Sequence, residues 1–328
     1  MPAEWSEHER TLMGWPCRAS LWGETIAHAR ADYATVANAI AAFEPVTMIA
    51  NPGADAAAAR AACTAAVAVT ELPLDDSWLR DTGPIYVEHE GRRVAVHFSF
   101  NAWGEKFTPW ERDAAVGRLI AERLGDEVIE HELVLEGGSI CVDGTGTLIT
   151  TESCLLNPNR NPSLAREEIE GALREYLGAR RVVWLGQGLV EDRDTDGHVD
   201  LIAAFTPAGQ VLLQTVGPEN PNFASCEANR ERLEEEGIEV RELPLLPYAE
   251  VAGETVAASY LNLYICNGGV IVPVTGAETD DEALAIVAGA YPGREVVSVP
   301  GAVLAYGGGG PHCITQQVPA LDGPSPDG

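Results

Sequence analysis

Residues Ile140–Thr151 read ICVDGTGTLITT. Two short runs of apolar and β-branched residues, Ile140–Asp143 and Leu148–Thr151, flank a turn at Gly144–Gly146, so the segment predicts a β-hairpin. Downstream, REEIEGALREYL (Arg166–Leu177) carries apolar residues at helical spacing, and RVVWL (Arg181–Leu185) reads as one more strand. The order is strand, strand, helix, strand. It recurs after His198 as Val199–Phe205, a turn at Pro207–Gly209, Val211–Thr215, a helix over Phe223–Glu236 and a strand over Glu239–Leu243. From Ser259 it recurs as Tyr260–Cys266, a turn at Asn267–Gly268, Val270–Val274, a helix over Asp280–Ala290 and a strand over Glu295–Val299. Upstream, Ile85–Glu88, Arg92–Phe98, Ala114–Leu124 and Val128–Glu132 give a fourth copy, and Trp5–Ala50 a degenerate fifth.

Five related units without low-complexity linkers predict one closed, repeat-built α/β domain over residues 1–320, each unit burying its sheet against its neighbours. The tail 321–328, rich in Pro, Gly and Asp, is expected to be disordered. Residues able to do chemistry fall at corresponding edges of the units: Asp81, Glu136, His198, Ser259 and Cys313 follow at intervals of roughly 54 to 62 residues. Units set around an axis bring such positions together at its mouth. A doubly wound sheet does not account for the spacing.

The chain of 328 residues is long enough for a large core. It has no run of 18 apolar residues and no basic segment followed by an apolar one at its start, so a soluble, unsecreted protein is expected. The Ala-rich stretch Ala56–Val69, interrupted by Arg60, reads as a packed helix. Fifty acidic residues against 21 basic ones give a net charge of −29, which repels nucleic acid and anionic membranes. A negative field favours a small cationic partner instead. The single lysine, Lys106, points equally to a compositional bias as the source of the acidity. Seven scattered cysteines with no Cys-x-x-Cys pair argue for a reducing, cytoplasmic compartment and against a disulfide framework or structural zinc.

Among those cysteines, Cys313 alone sits in a setting that suggests reactivity: GGGGPHCITQQ, Gly307–Gln317. A glycine run lets backbone pass close to a bound molecule, although a buried apolar cysteine is the plainer alternative. The run is no phosphate loop, since Gly-Lys-Ser/Thr is absent, and no Gly-x-Gly-x-x-Gly follows a strand to hold a dinucleotide. His198 and Asp200, two apart in an expected strand, face one side; a histidine held structurally by its neighbouring carboxylate, or a metal ligand, are the other readings. Glu136 precedes two glycines and Asp81 opens the turn Thr82–Pro84; either alone reads as a turn or capping residue, as do Asp75, Asp76 and Glu152. Trp78, among acidic residues, is core or the wall of a site for an amphipathic cation.

Taken together these blocks resemble the agmatine deiminase family, among the guanidine-modifying enzymes of the pentein fold. The resemblance covers nearly the whole chain: MPAEWSEHERTLMGWP (Met1–Pro16), Asp75–Pro84, FNAWG (Phe100–Gly104), Leu135–Ile140, TESCLLNPNRNP (Thr151–Pro162), Asp194–Asp200, Ala258–Pro273 and Gly307–Pro319. It implies a pentein α/β propeller of five ββαβ repeats around a central active site. It also implies Cys313 as nucleophile, His198 as general acid and base, Glu136 orienting the histidine, Asp81 and Asp200 gripping a guanidinium, and Trp78 lining the channel for the alkyl chain. No metal or organic cofactor is needed. The implied substrate is agmatine, a small cationic guanidino compound hydrolysed to N-carbamoylputrescine and ammonia on the way to putrescine. A homodimer or higher assembly is compatible with the resemblance.

The physical logic is consistent with those roles. A guanidinium carbon is a poor electrophile because resonance spreads its charge, so carboxylates must fix it by charge-assisted hydrogen bonds before a thiolate attacks. The chain departs from the family pattern at Gly310-Pro311, where Asn-Ile is commoner, at Asp196, where Asn is frequent, and in a compact C-terminus. These leave open a deiminase of free or peptidyl arginine, with Arg18, Arg80 or Arg160 as a carboxylate clamp, another guanidine-modifying hydrolase, or an amidinotransferase. From a different class, a non-catalytic five-repeat binder similar to translation initiation factor six remains an alternative, though it has no need of a Cys, His and Glu set.

Overall fold

In the hairpin quoted above, Ile140–Val142 pairs antiparallel with Thr147–Thr151, Ile140 opposite Thr150. Asp143 makes the turn. Its Oδ1 accepts from the amides of Thr145 and Thr147 at 2.7 and 2.9 Å, while Gly144 and Gly146 take φ of 74° and 112°, which side-chain-bearing residues avoid. Thr147–Thr151 runs parallel to Arg181–Leu185, as the crossover helix Arg166–Leu177 requires. That helix buries Ile169, Leu173 and Leu177 along one stripe, each side chain contributing about 2 kcal/mol on leaving water. Gly178, left-handed at φ 71°, ends it. The computed structural model describes residues 1–320; the tail expected to be disordered, 321–328, lies outside the described residues.

Three more sheets repeat the pattern, an antiparallel hairpin followed by a strand parallel to its second member. They are Ile85–His89, Arg92–Ser99 and Glu127–Val134; Ala203–Phe205, Val211–Gln214 and Val240–Leu243; and Tyr264–Cys266, Gly269–Val274 and Glu295–Pro300. The fifth unit departs from expectation. Trp5–Ala50 does not complete it: the sheet order is Thr315–Pro319, His8–Gly14, Val46–Ala50, Val67–Glu71. The antiparallel partner of His8–Gly14 comes from the far end of the chain, Met13 opposite Thr315. The Ala-rich stretch is helical only over Ala54–Ala62, with Ala56 and Ala59 buried, and then becomes the strand Val67–Glu71. The chain is thus an α/β fold of five ββαβ-like units, the first closed by the C-terminal strand.

This closure explains the regular spacing of reactive residues. Each stands just before the first strand of a hairpin: Asp81 before Ile85–His89, Glu136 before Ile140–Val142, His198 and Asp200 before Ala203–Phe205, and Cys313 before Thr315–Pro319. Because that last strand belongs to the first unit, the cysteine comes at the end of the chain. Two expected strands are shorter than read. Val199–Leu201 is a 3-10 turn with only Ala203–Phe205 extended, and of Tyr260–Cys266 only Tyr264–Cys266 is strand. Chain there leaves the sheet and carries Asp200 and Asn262 to the Cys313 thiol. Among the described residues no helix is long and apolar enough to cross a membrane.

Candidate active site

Cys313 is buried, and its loop is fixed from two sides. Its amide donates to Asn262 Oδ1 at 3.2 Å, and Asn262 Nδ2 donates to Sγ at 3.1 Å. Its carbonyl accepts from the amide of Arg80 at 3.2 Å. Sγ faces Asp200 Oδ2 at 3.3 Å. The glycines before it are required by contact: a Cβ on Gly309 would lie 2.8 Å from Sγ and 2.9 Å from Trp78, and one on Gly310 would lie 2.8 Å from Asn262. Burial, then the charges of Asp200 and Asp81, push the thiol well above its ordinary pKa.

Asp81, Asp200 and His198 converge on a space left by the missing side chain of Gly138. A Cβ there would fall 2.6 Å from His198 Nδ1, 2.9 Å from Asp81 Oδ1 and 3.0 Å from Asp200 Oδ2. Asp81 is oriented by the Gly138 amide and by Trp103 Nε1, each donating at 2.9 Å. Burial raises its pKa; the charge of His198 offsets this in part, while Asp200 and Glu136 add to it, leaving Asp81 at about 6. For Asp200 burial also pushes upward, but the hydrogen bond and charge of His312 and the charge of His198 outweigh it and hold the carboxyl below its ordinary value. Its Oδ1 is buried without a partner.

His198 sits with Nδ1 3.8 Å from Asp81 Oδ1 and Nε2 3.9 Å from Glu136 Oε2, too far for hydrogen bonds but close enough for charge. Burial disfavours its cation; the Asp81 charge and the neighbouring Cys154 and Glu136 win, so its pKa lies well above the usual histidine range. Its backbone is set by Asp192 Oδ2 and Thr195 Oγ1, which accept from the His198 amide at 2.9 and 3.1 Å. Glu136 is wholly buried and paired with Arg160 Nε at 2.5 Å. Burial raises its pKa, but His198 and Arg160 more than compensate and hold it low. Glu136, Cys154 and His198 offer ligand atoms within 4.8 Å of one another. The Arg160 guanidinium already supplies the cation at that carboxylate, so the trio is a poor fit for a metal ion.

Above Cys313 opens a pocket with about 330 Å³ of empty space. Trp78, Trp103 and Phe107 form its aromatic wall, and Asp76, Asp81 and Asp194 also line it. Trp78 stacks on Trp22 with centroids 5.9 Å apart. Trp103 stands on a run of left-handed residues, Ala102, Trp103, Gly104 and Glu105 at φ 55°, 55°, 87° and 62°, a strained conformation costing about 1 kcal/mol or more per side-chain-bearing residue. Lys106 holds this loop shut: Nζ lies 2.8 Å from Asp196 Oδ1 and donates to the carbonyls of Arg193 and Asp194 at 2.8 Å.

Against known proteins, the family model of the Porphyromonas-type peptidyl-arginine deiminases matches residues 1–319. The chain belongs to that family. The chain is 43% identical to the agmatine deiminase of Stutzerimonas stutzeri, over 98% of this chain and 95% of that protein. It is similar in structure to the agmatine deiminase of Enterococcus faecalis, with a TM-score of 0.93 and 33% identity over 98% and 96% of the two chains. A C. jejuni agmatine deiminase with a cysteine-to-serine replacement, solved with substrate bound, superposes with a TM-score of 0.92 at 28% identity, over 98% and 96%.

In this deiminase-family chain the structure brings Cys313, His198, Glu136, Asp81, Asp200 and Trp78 together around one buried centre. Ser259 is not among them: its Oγ donates to Leu201 O at 2.7 Å, and Asn262, three residues on, meets the thiol. Asp76, read as a capping residue, does cap the Ser77 amide at 2.8 Å, but it also lines the pocket. Trp103 and Asp194 lie within quoted blocks that gave them no role. Of the three arginines considered as a carboxylate clamp, Arg80 bonds the His312 carbonyl at 3.3 Å and Arg160 pairs with Glu136, while Arg18 pairs at 2.7 Å with Asp76 of the pocket lining.

Proposed function

We propose that this protein hydrolyses the guanidinium group of agmatine to N-carbamoylputrescine and ammonia. The observation that carries this reading is the pocket itself: it leads to a buried thiol between two carboxylates, and its lining adds Asp194 and an Asp76 already paired with Arg18. A cationic amine matches the carboxylate of Asp194 there. The carboxylate of free arginine meets Asp81 and Asp194 there, and no arginine is among the lining residues.

Each role follows from position. Asp81 and Asp200 take the guanidinium by charge-assisted hydrogen bonds, Asp200 through its unpartnered Oδ1, and the Trp78 and Trp103 rings enclose the alkyl chain. The substrate's charge offsets the burial and the carboxylates that keep the Cys313 proton in place, and the thiol releases it to solvent. The thiolate attacks the guanidinium carbon. Protonated His198 gives its proton to the departing nitrogen, the C–N bond breaks, and ammonia leaves with an amidino-thioether on Cys313. Neutral His198, kept near Glu136, then removes a proton from water, whose oxygen adds to the same carbon. The C–S bond breaks, a urea forms, and the thiol regains a proton. Electrostatic orientation supplies much of the acceleration.

A cytoplasmic setting agrees with seven unpaired cysteines among the described residues, and a step toward putrescine agrees with the product. The deciding assay compares ammonia release from agmatine, arginine and a short arginine peptide at matched concentrations. Release from agmatine at least about a hundredfold faster than from arginine is expected from the unpaired carboxylate; equal rates with arginine would move the function to another guanidine.

A further inference from the structure

Behind the substrate carboxylates lies a second charged chain that the mechanism above does not use. His312 Nδ1 meets Asp200 Oδ2 at 2.8 Å, and Nε2 meets both oxygens of Glu4 at 2.9 and 3.1 Å. All three residues are buried or nearly so. A neutral imidazole has one N–H and one lone pair, so a histidine with a carboxylate on each nitrogen satisfies both only as the imidazolium. Glu4 arrives from the opposite end of the chain. Its segment is anchored by the terminal amine of Met1, which donates to Leu177 O at 2.9 Å, and by His8 Nε2, 2.9 Å from Glu4 O. A largely apolar pocket lined by Trp5, Cys141, Phe205 and Leu261 adjoins the pair, so protein dipoles and charges, rather than bulk water, surround most of it.

The charges facing this pair come from several elements. Arg80 Nη1 lies 3.7 Å from Glu4, and its Nε donates to the His312 carbonyl at 3.3 Å. Cys313 and Asp200 adjoin on the substrate side, with His198 and Asp81 beyond them; Cys141, Tyr291 and His8 face Glu4. Without a cation behind it, Asp200 would share its site with Asp81, and two carboxylates facing one cavity do not both ionise readily. Burial would raise Glu4, but His312 and then Arg80 bring it down to about 2, so the far end of the chain stays charged.

We infer that Glu4 and His312 are positioning residues for guanidine recognition: Glu4 keeps His312 cationic, and His312 keeps Asp200 ionised and turned with Oδ1 toward the substrate while Asp81 is charged as well. This rests on the guanidine-hydrolysis reading, but one arm of its test needs no substrate. In the substrate-free protein at neutral pH, nitrogen-15 NMR of the histidines should show His312, assigned by its loss in His312→Gln, with both ring nitrogens protonated; a neutral imidazole overturns the inference. The second arm uses Glu4→Gln, whose amide can still hydrogen-bond Nε2 but carries no charge. It should raise KM for agmatine about tenfold, as the loss of one ionised contact implies, with kcat changed less than about threefold. Glu4→Asp should recover most of the loss. Unchanged KM in a folded Glu4→Gln, or a loss that tracks a lowered melting temperature and is not recovered by Asp, overturns it. Wild-type protein inert toward agmatine would defeat the functional reading alone, with the NMR arm still decisive.

Discussion

Cys313 Sγ lies 3.3 Å from Asp200 Oδ2, and the Trp78 ring and Gly309 close the other side of the thiol. The proposed nucleophile therefore rests against the carboxylate proposed to hold the substrate. Burial first, and the anions after it, keep the proton on sulfur, and in the mechanism proposed above a bound cation releases it. A neutral alkylating agent should accordingly modify Cys313 slowly at neutral pH and faster as pH rises well above the ordinary thiol range. Ultraviolet absorbance should show little thiolate in the free protein at neutral pH; a free thiolate there would contradict the arrangement.

Stability and activity should move oppositely on mild acidification. Asp76 and Asp81 at about 6 and Asp113 at about 7 are raised, above all by burial. The folded state thus binds their protons more tightly than the unfolded chain, and the stability this confers is present at low pH and lost as pH rises through those values. Glu4, Glu136 and Asp200 are depressed, so their contribution persists above the ordinary carboxyl range and fades only as pH falls through their own folded values, below this window. Between about pH 7.5 and 5.5 the melting temperature should rise while kcat/KM falls, since a protonated Asp81 no longer grips a guanidinium. Parallel decline of both would count against the Asp81 assignment.

Gly138→Ala should press a methyl group against His198, Asp81 and Asp200 and push these side chains out of place. A misplacement of about an ångström at such a centre costs about a hundredfold in kcat/KM. Steady-state kinetics beside a melting curve would check this, with the protein still folded.

Lys106, the chain's single lysine, ties the strained loop bearing Trp103 to Asp196 and two carbonyls. Lys106→Gln should raise KM for agmatine several-fold as that loop opens. Its melting temperature should barely change, because an ion pair this near the surface contributes about 0–1 kcal/mol. Kinetics unchanged within error would contradict a part for Lys106 in substrate binding.

The parts of this fold that sequence made legible are those governed by local periodicity. The helices Arg166–Leu177 and Asp280–Ala290 and the strand Arg181–Leu185 have the expected bounds, because a single buried stripe and a flanking turn define them. What stayed hidden depends on partners distant in the chain. No local pattern says that Thr315–Pro319 completes the unit begun at His8, or that Arg160 neutralises Glu136. The repeat interval pointed to Ser259, yet the inward turn before Tyr264–Cys266 delivers Asn262 to the thiol instead. The hairpin Tyr248–Val251 with Glu254–Ala257 lies outside the five-unit pattern and was not anticipated. His198 and Asp200 face one cavity as expected, though through a 3-10 turn and not a strand.

The most direct measurement is mass spectrometry of the protein quenched during turnover of agmatine, with ammonia release followed in parallel for Cys313→Ala. The account predicts an amidino adduct on the peptide containing Cys313 and no ammonia from the variant. Turnover by Cys313→Ala at the normal rate, or an adduct on a different residue, would contradict it.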